Sequence, residues 1–131
     1  MVEVCSFFLK ILGCNADFVA VENPIQHGYA RKMIGPYSQV IQPYKFGHKE
    51  QKATCLWLHN LPPLKTTHDV EEETHRLPES KRQRLHYLSP SPSRSKEGSR
   101  TFQVIADAMA EQWTRYILTV LRYRNALVKN S

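Results

Sequence analysis

Phe18-Val19-Ala20-Val21-Glu22-Asn23-Pro24 is an apolar run that stops on an acid, an amide and a proline. A short run without polar alternation is the pattern of a strand buried on both faces, and such strands belong to parallel sheets flanked by helices. These seven residues therefore decide the fold class: an α/β layered domain in which Glu22-Asn23-Pro24 ends the strand. Ligands of open α/β sheets collect outside the carboxyl ends of strands. That position invites a functional role for Glu22, with an exposed loop acid before a proline as the alternative. Asn23 can satisfy its own turn by bonding nearby backbone.

Upstream, Phe8, Ile11 and Leu12 fall at helical spacing and Gly13-Cys14-Asn15 supplies a stop. The amino-terminal residues do not read as a secretion signal, because Glu3 stands where positive charge is needed and Lys10 interrupts the apolar region. Downstream, Tyr29, Ala30, Met33 and Ile34 share one face of a short helix over 25–34, closed by Gly35-Pro36. Ser38-Gln39-Val40-Ile41-Gln42 reads as a short strand stopped by Pro43, and Ala53-Thr54-Cys55-Leu56-Trp57-Leu58 as a stronger one. From 102 to about 128 there is neither Gly nor Pro, and Ile105, Met109, Trp113, Tyr116, Ile117 and Val120 line one stripe of a long helix. That stripe predicts core.

Residues 65–100 read differently. Acidic Glu71-Glu72-Glu73, basic Lys81-Arg82-Gln83-Arg84 and Ser89-Pro90-Ser91-Pro92-Ser93-Arg94 resist a packed core and predict a long, mobile basic loop, with 71–84 able to visit helix. Between Arg76 and Arg100, the residues Arg76, Lys81, Arg82, Arg84, Arg94, Lys96 and Arg100 face only Glu79 and Glu97, so that window carries most of the net charge of +6. Such an excess suits a polyanionic partner or keeps a solvated loop soluble. Arg82, Arg84, Arg94 and Arg100 are the candidate phosphate contacts.

With 131 residues the chain fits one domain, and no apolar run reaches the roughly 18 to 20 residues of a membrane span. Cys5, Cys14 and Cys55 form an odd set without C-x-x-C spacing, which points to a reducing, cytoplasmic setting rather than a disulfide framework. Six histidines, at 27, 48, 59, 68, 75 and 86, show no i, i+4 pair or Cys partner, so no metal site is expected. Tyr37, Tyr44, Phe46 and Trp57 lie among Lys45, Lys49 and Lys52 and serve either as stacking platforms for bases or as core aromatics.

Three motifs carry a family likeness. Val21-Glu22-Asn23-Pro24, then Phe46-Gly47-x-x-x-Gln51-Lys52 leading into a strand, then Ser99-Arg100-Thr101 opening Ala106-Asp107-Ala108-Met109-Ala110-Glu111-Gln112, resemble in order the later half of DNA cytosine-5 methyltransferases. The run 21–64 and the ending through Trp113 are similar to small phage-encoded proteins related to those enzymes. The resemblance implies a partial Rossmann-like methyltransferase half-domain: about three strands, a long basic insert and a long carboxyl-terminal helix.

It also implies roles. Glu22 would face a flipped cytosine, bonding ring nitrogen 3 and the exocyclic amine, and Asn23 would brace the loop. Such a carboxyl needs burial to raise its pKa toward neutrality. Gln51 matches a substrate-holding motif, whereas Lys52 and Thr54 replace arginines, so bidentate contacts are lost there. Ser99 and Thr101 would help close an S-adenosylmethionine pocket. The family's glycine-rich first motif and Pro-Cys nucleophile should both precede Glu22, where only 21 residues stand, and no Pro-Cys occurs in the chain. A gene fragment, a split enzyme, an alternative start or a reused remnant each accounts for this.

The expectation is a DNA-modification-related protein, inactive alone and methyl-transferring only if a second chain complements it. The rival is a non-catalytic nucleic-acid-binding or interaction module of phage origin. DNA is the implied partner, no membrane is, and an exposed half-sheet would be covered by a second chain or by self-association.

Overall fold

The computed structural model describes residues 2–24 and 28–131. Three strands, β1 (Val19–Pro24), β2 (Gln39–Ile41) and β3 (Thr54–His59), form one sheet in the order β1-β3-β2. β3 is antiparallel to both neighbours, with Val21 opposite Trp57, Glu22 opposite Leu56, Asn23 opposite Cys55, and Val40 opposite Cys55 from the other side. The mixed α/β character agrees with the sequence pattern. The parallel, doubly buried strand at 18–21 does not. β1 is an edge strand whose Ala20 is exposed, and its pairing continues through Glu22, Asn23 and Pro24 instead of ending there. An apolar run specifies burial but not direction, and the central, fully covered place went to β3, where Thr54, Cys55, Leu56 and Trp57 are all buried. A proline is tolerated in β1 because an edge strand need not donate on both sides.

Helices cover both faces. On one, α1 (Val2–Leu12) and α2 (Gly28–Ile34) pack Phe8, Leu12 and Ile34 against Val21, Cys55 and Trp57. The Phe8 and Trp57 rings meet edge to face, with centroids 4.7 Å apart. The start of the helix expected from Ile25, with His27, lies outside the described residues. Gly35 closes α2 at φ 88°, its N–H donating to the Arg31 carbonyl at 3.0 Å, a left-handed cap that favours glycine.

On the other face lies α6 (Gln103–Lys129), whose Ile105, Ala108 and Trp113 pack with Ile41, Phe46, Leu56 and Leu64. Trp113 Nε1 donates to the Pro62 carbonyl at 2.9 Å, and Gln112 clamps Lys65 through both its backbone N–H (2.8 Å) and C=O (2.9 Å). Ile105, Met109 and Trp113 of the expected stripe meet this core. Tyr116 is exposed, and Ile117 and Val120 are half-buried. The reason is length: 27 residues make a helix about 40 Å long, whereas a six-residue strand spans about 20 Å. α6 runs antiparallel to β1, and Arg124 reaches Asp17 (3.8 Å) and the Phe18 ring (5.9 Å) beyond the strand's start.

Residues 65–100, expected as a loop, carry three short helices: α3 (Glu71–His75), α4 (Glu79–Arg82) and α5 (Pro92–Ser99). The acidic run is not left to solvent. Lys45 bridges Asp69 (2.8 Å) and Glu71, and Lys49 pairs with Glu73 at 2.6 Å. Thr74, fully buried, donates to the Val70 carbonyl at 2.7 Å. Ser91 caps α5 by accepting from the Arg94 N–H at 3.1 Å, with Pro92 at the first helical position. Among the described residues, no helix is long and apolar enough to cross a membrane.

These pairs carry a pH signature. The hydrogen bond from Lys45 holds the Asp69 carboxyl below its ordinary range, and that from Lys49 does the same for Glu73. Depressed carboxylates stabilise above their unfolded values and lose that contribution as pH falls through the folded ones, so the loss begins below about pH 4. The same contacts raise the Lys45 ammonium, so the pair is also lost when the lysine deprotonates on the far alkaline side. The melting temperatures of the native chain and of Lys45→Met should differ at pH 6 and draw together progressively as pH falls below about 4 in thermal scans.

Candidate functional site

Neighbouring side chains of a strand point to opposite faces. In β1, Val21 packs with Trp57 under α1, so Glu22 projects to the α6 face beside Leu56, and Asn23 returns to the α1 face beside Cys55. The two do not converge. Glu22 is half-buried, and its Oε2 accepts a hydrogen bond from Thr101 Oγ1 at 2.9 Å, across 79 residues of chain. Thr101 stands in the link between α5 and α6, one residue before the Phe102 that caps α6.

The same link is held by Lys52. Its Nζ donates to the Gly98 carbonyl at 2.6 Å and lies 3.4 Å from that of Arg100, with the Phe102 ring 5.7 Å away. A cation there satisfies carbonyls that the end of a helix leaves unpaired. The Lys52 N–H donates to Gln42 Oε1 at 2.9 Å and the Gln51 N–H to the Arg82 carbonyl at 2.6 Å, which fixes the 51–52 segment from both sides. The three motif segments, at 22, 51–52 and 99–101, thus meet at one end of the sheet.

Beside them opens a cleft of about 200 Å³ lined by His48, Glu50, Arg84, Glu97, Arg100 and Phe102 among others. Glu50, whose side chain is only 13% exposed, accepts from Arg84 Nε at 3.1 Å and lies 3.3 Å from His48 Nε2. Arg84 also reaches Glu97 at 3.5 Å, and the Glu50 hydrogen bond holds its guanidinium above its ordinary value. The His48 ring lies against Phe102, with centroids 4.6 Å apart. His48, Glu50 and Phe102 escaped the sequence reading, since Glu50 and Arg84 are 34 residues apart and no local pattern links them.

Several candidate residues are otherwise engaged. Arg84 is neutralised by two carboxylates, and Lys52 is turned inward. Arg82 donates through Nη1 to the Leu77 carbonyl at 3.0 Å, and its Nε is buried without a partner among the described residues. Arg94 contacts the His86 carbonyl at 3.4 Å. Arg100 is exposed, and among the described residues no hydrogen bond or ion pair engages its guanidinium. Tyr44, Phe46 and Trp57 are buried, which makes them core aromatics, while Tyr37 stays exposed with its ring 6.4 Å from that of Trp57.

The residues assigned to S-adenosylmethionine do not fit a cofactor cradle. Ser99 Oγ turns back to the Lys96 carbonyl at 2.9 Å, and the Thr101 hydroxyl proton is given to Glu22. Nor is a thiol at hand: Cys55 faces α1 within the core, Cys5 is buried on α1, and Cys14 lies just beyond the end of α1. Among the described residues, no three His, Cys, Asp or Glu side chains gather as metal ligands would. No protein-family model, curated protein or solved structure matches this chain.

Proposed function

We propose that this is a DNA-modification-related protein, resembling the carboxyl-terminal half of a DNA cytosine-5 methyltransferase, that holds an unpaired cytosine without transferring a methyl group by itself. The observation that carries the reading is the meeting of Glu22, Lys52 and Thr101, because the three motifs behind the resemblance are far apart in sequence and adjacent in space. In this reading Glu22 presents its carboxylate to the base, Thr101 orients it, and Lys52 keeps the α5–α6 link in place. Arg100, next to Thr101 and uncommitted, takes a phosphate, joined by the exposed Lys81 and Lys96. The absence of a thiol from this face, among the described residues, favours a binding role over catalysis.

Affinity for a cytosine-bearing single strand should fall with salt, because each neutralised phosphate releases counterions, and Arg100→Ala should flatten the log–log slope by roughly 0.7. Glu22→Gln should weaken binding to an unpaired cytosine about 10- to 100-fold while leaving an abasic strand unaffected, since a hydrogen bond to a charged group contributes about 1.5–3 kcal/mol. Fluorescence anisotropy reads both. Equal affinity of the native chain and Glu22→Gln for the cytosine strand would refute the base-facing role. Calorimetry with S-adenosylmethionine should show no binding, and heat of binding would restore the catalytic reading.

A further inference from the structure

The three-layer fold ends abruptly at β1. Among the described residues nothing pairs with the outer edge of that strand; of the devices that protect natural sheet edges it carries a charge at Glu22 and a proline at its last position, while its first residues, Val19-Ala20-Val21, carry neither. On the side of this edge α1 presents uncovered apolar side chains, and α6, whose core contacts lie over β2 and β3, presents others along its length. On α1, Val4 and Phe7 are 63% and 65% exposed. On α6, the Tyr116 flank meets Pro62 and Pro63, which lead to Leu64, bonded to Gln39 of β2. The opposite flank, on the β1 side, carries Ile117, Leu121 and Val128, the last 73% exposed. The surface totals 9135 Å². A compact monomer of 15.2 kDa exposes about 7,100 Å². The excess of about 2,000 Å², which includes the overhanging half of α6 and residues 65–100, leaves room for the ~800 Å² per partner of a standard interface.

We infer that a second copy of this chain covers the edge, with β1 pairing antiparallel to β1 of the partner in a continuous six-stranded sheet. A two-fold axis perpendicular to the sheet sets α1 beside α1, β1 beside β1 and α6 beside α6, so all three layers match in height without adjustment. α1 touches β1 and rests Phe8 on Trp57 of β3, so it rides about one strand spacing from that axis. The two copies of α1 then lie about 10 Å apart, the distance at which helices pack.

The pleat also fixes the register. Residues opposite one another must point to the same face, so the central pair is Ala20 with Ala20, Val21 with Val21 or Glu22 with Glu22. The last sets two carboxylates side by side, and the first sets Glu22 against Phe18, which precedes the strand. Val21 opposite Val21 keeps five residues paired, from Val19 to Asn23, and places each Glu22 opposite the small Ala20 of the partner. Arg115 and Arg122 lie on the polar side of α6, away from the seam.

The chain should therefore be a concentration-dependent dimer in sedimentation equilibrium, and the dimer should tighten with salt as repulsion between two copies of charge +6 is screened. Ala20 is exposed, so substitutions there leave the monomer fold intact. Ala20→Glu, opposite the partner's Glu22, should weaken the dimer about tenfold, and Ala20→Lys should not weaken it. In a Cys14→Ser background, Val21→Cys should give a disulfide-linked dimer on air oxidation. A chain that stays monomeric up to about 100 µM overturns the proposal. So does a dimer equally strong in Ala20→Glu and Ala20→Lys, which would place the contact elsewhere.

Discussion

Trp57→Ala should lower the unfolding free energy by about 3–5 kcal/mol in urea titrations, a large share of the 5–15 kcal/mol that holds a domain together. Trp57 lies in the central strand with only 4% of its surface exposed, and its ring supports Phe8 of α1 and, at 6.4 Å, Tyr37 after α2. Its Nε1 also reaches the Gly35 carbonyl that follows α2, at 3.4 Å. Truncation opens a cavity beneath both helices of that face. Trp113 is then the one tryptophan left, on the opposite face, so its fluorescence reports whether the α6 layer is lost with the α1–α2 layer. A single transition is expected because β3 belongs to both cores. Two transitions would show that the faces unfold independently.

Leu56→Ala should cost about 2–5 kcal/mol by the same cavity argument applied to the α6 face. Leu56 is wholly buried, lies opposite Glu22 on one side and Gln39 on the other, and packs with Ile41, Phe46 and Ile105. It forms the floor beside the Glu22–Thr101 contact. Partial rescue by Leu56→Met, which nearly conserves volume, separates packing from any role in that contact. If Leu56→Ala were destabilised but bound cytosine normally once folded, the floor would have no part in orienting Glu22.

Outside residues 65–100, the helices and strands were legible because their signals are local. Gly35 stops α2 by its freedom at positive φ, and the Ile105, Met109 and Trp113 stripe of α6 repeats at the period of one face. Cys55, in the middle of a segment readable as a strand, is fully buried. The motif positions could be quoted, but the interactions of their side chains could not. Whether Lys52 faces a phosphate or the Gly98 carbonyl depends on where α5 ends, 46 residues further on. Arg84 looked like part of a free basic patch because Glu50 and Glu97 lie far from it in sequence and within salt-bridge distance in space.

By itself, the sequence determined that the segments outside residues 65–100 are helical or extended, and that the long last helix must bury one side, but not the three short helices of 65–100 or the run of β1 through Pro24. Each of those outcomes follows from torsional preference and apolar periodicity within a few residues. Only the tertiary structure decided that β1 lies at an edge, that Glu22 and Asn23 face opposite layers, and that Thr101 bonds Glu22. Apolar runs specify burial without specifying a partner or a direction, and hydrogen bonds spanning up to 79 residues leave no periodic trace in the chain.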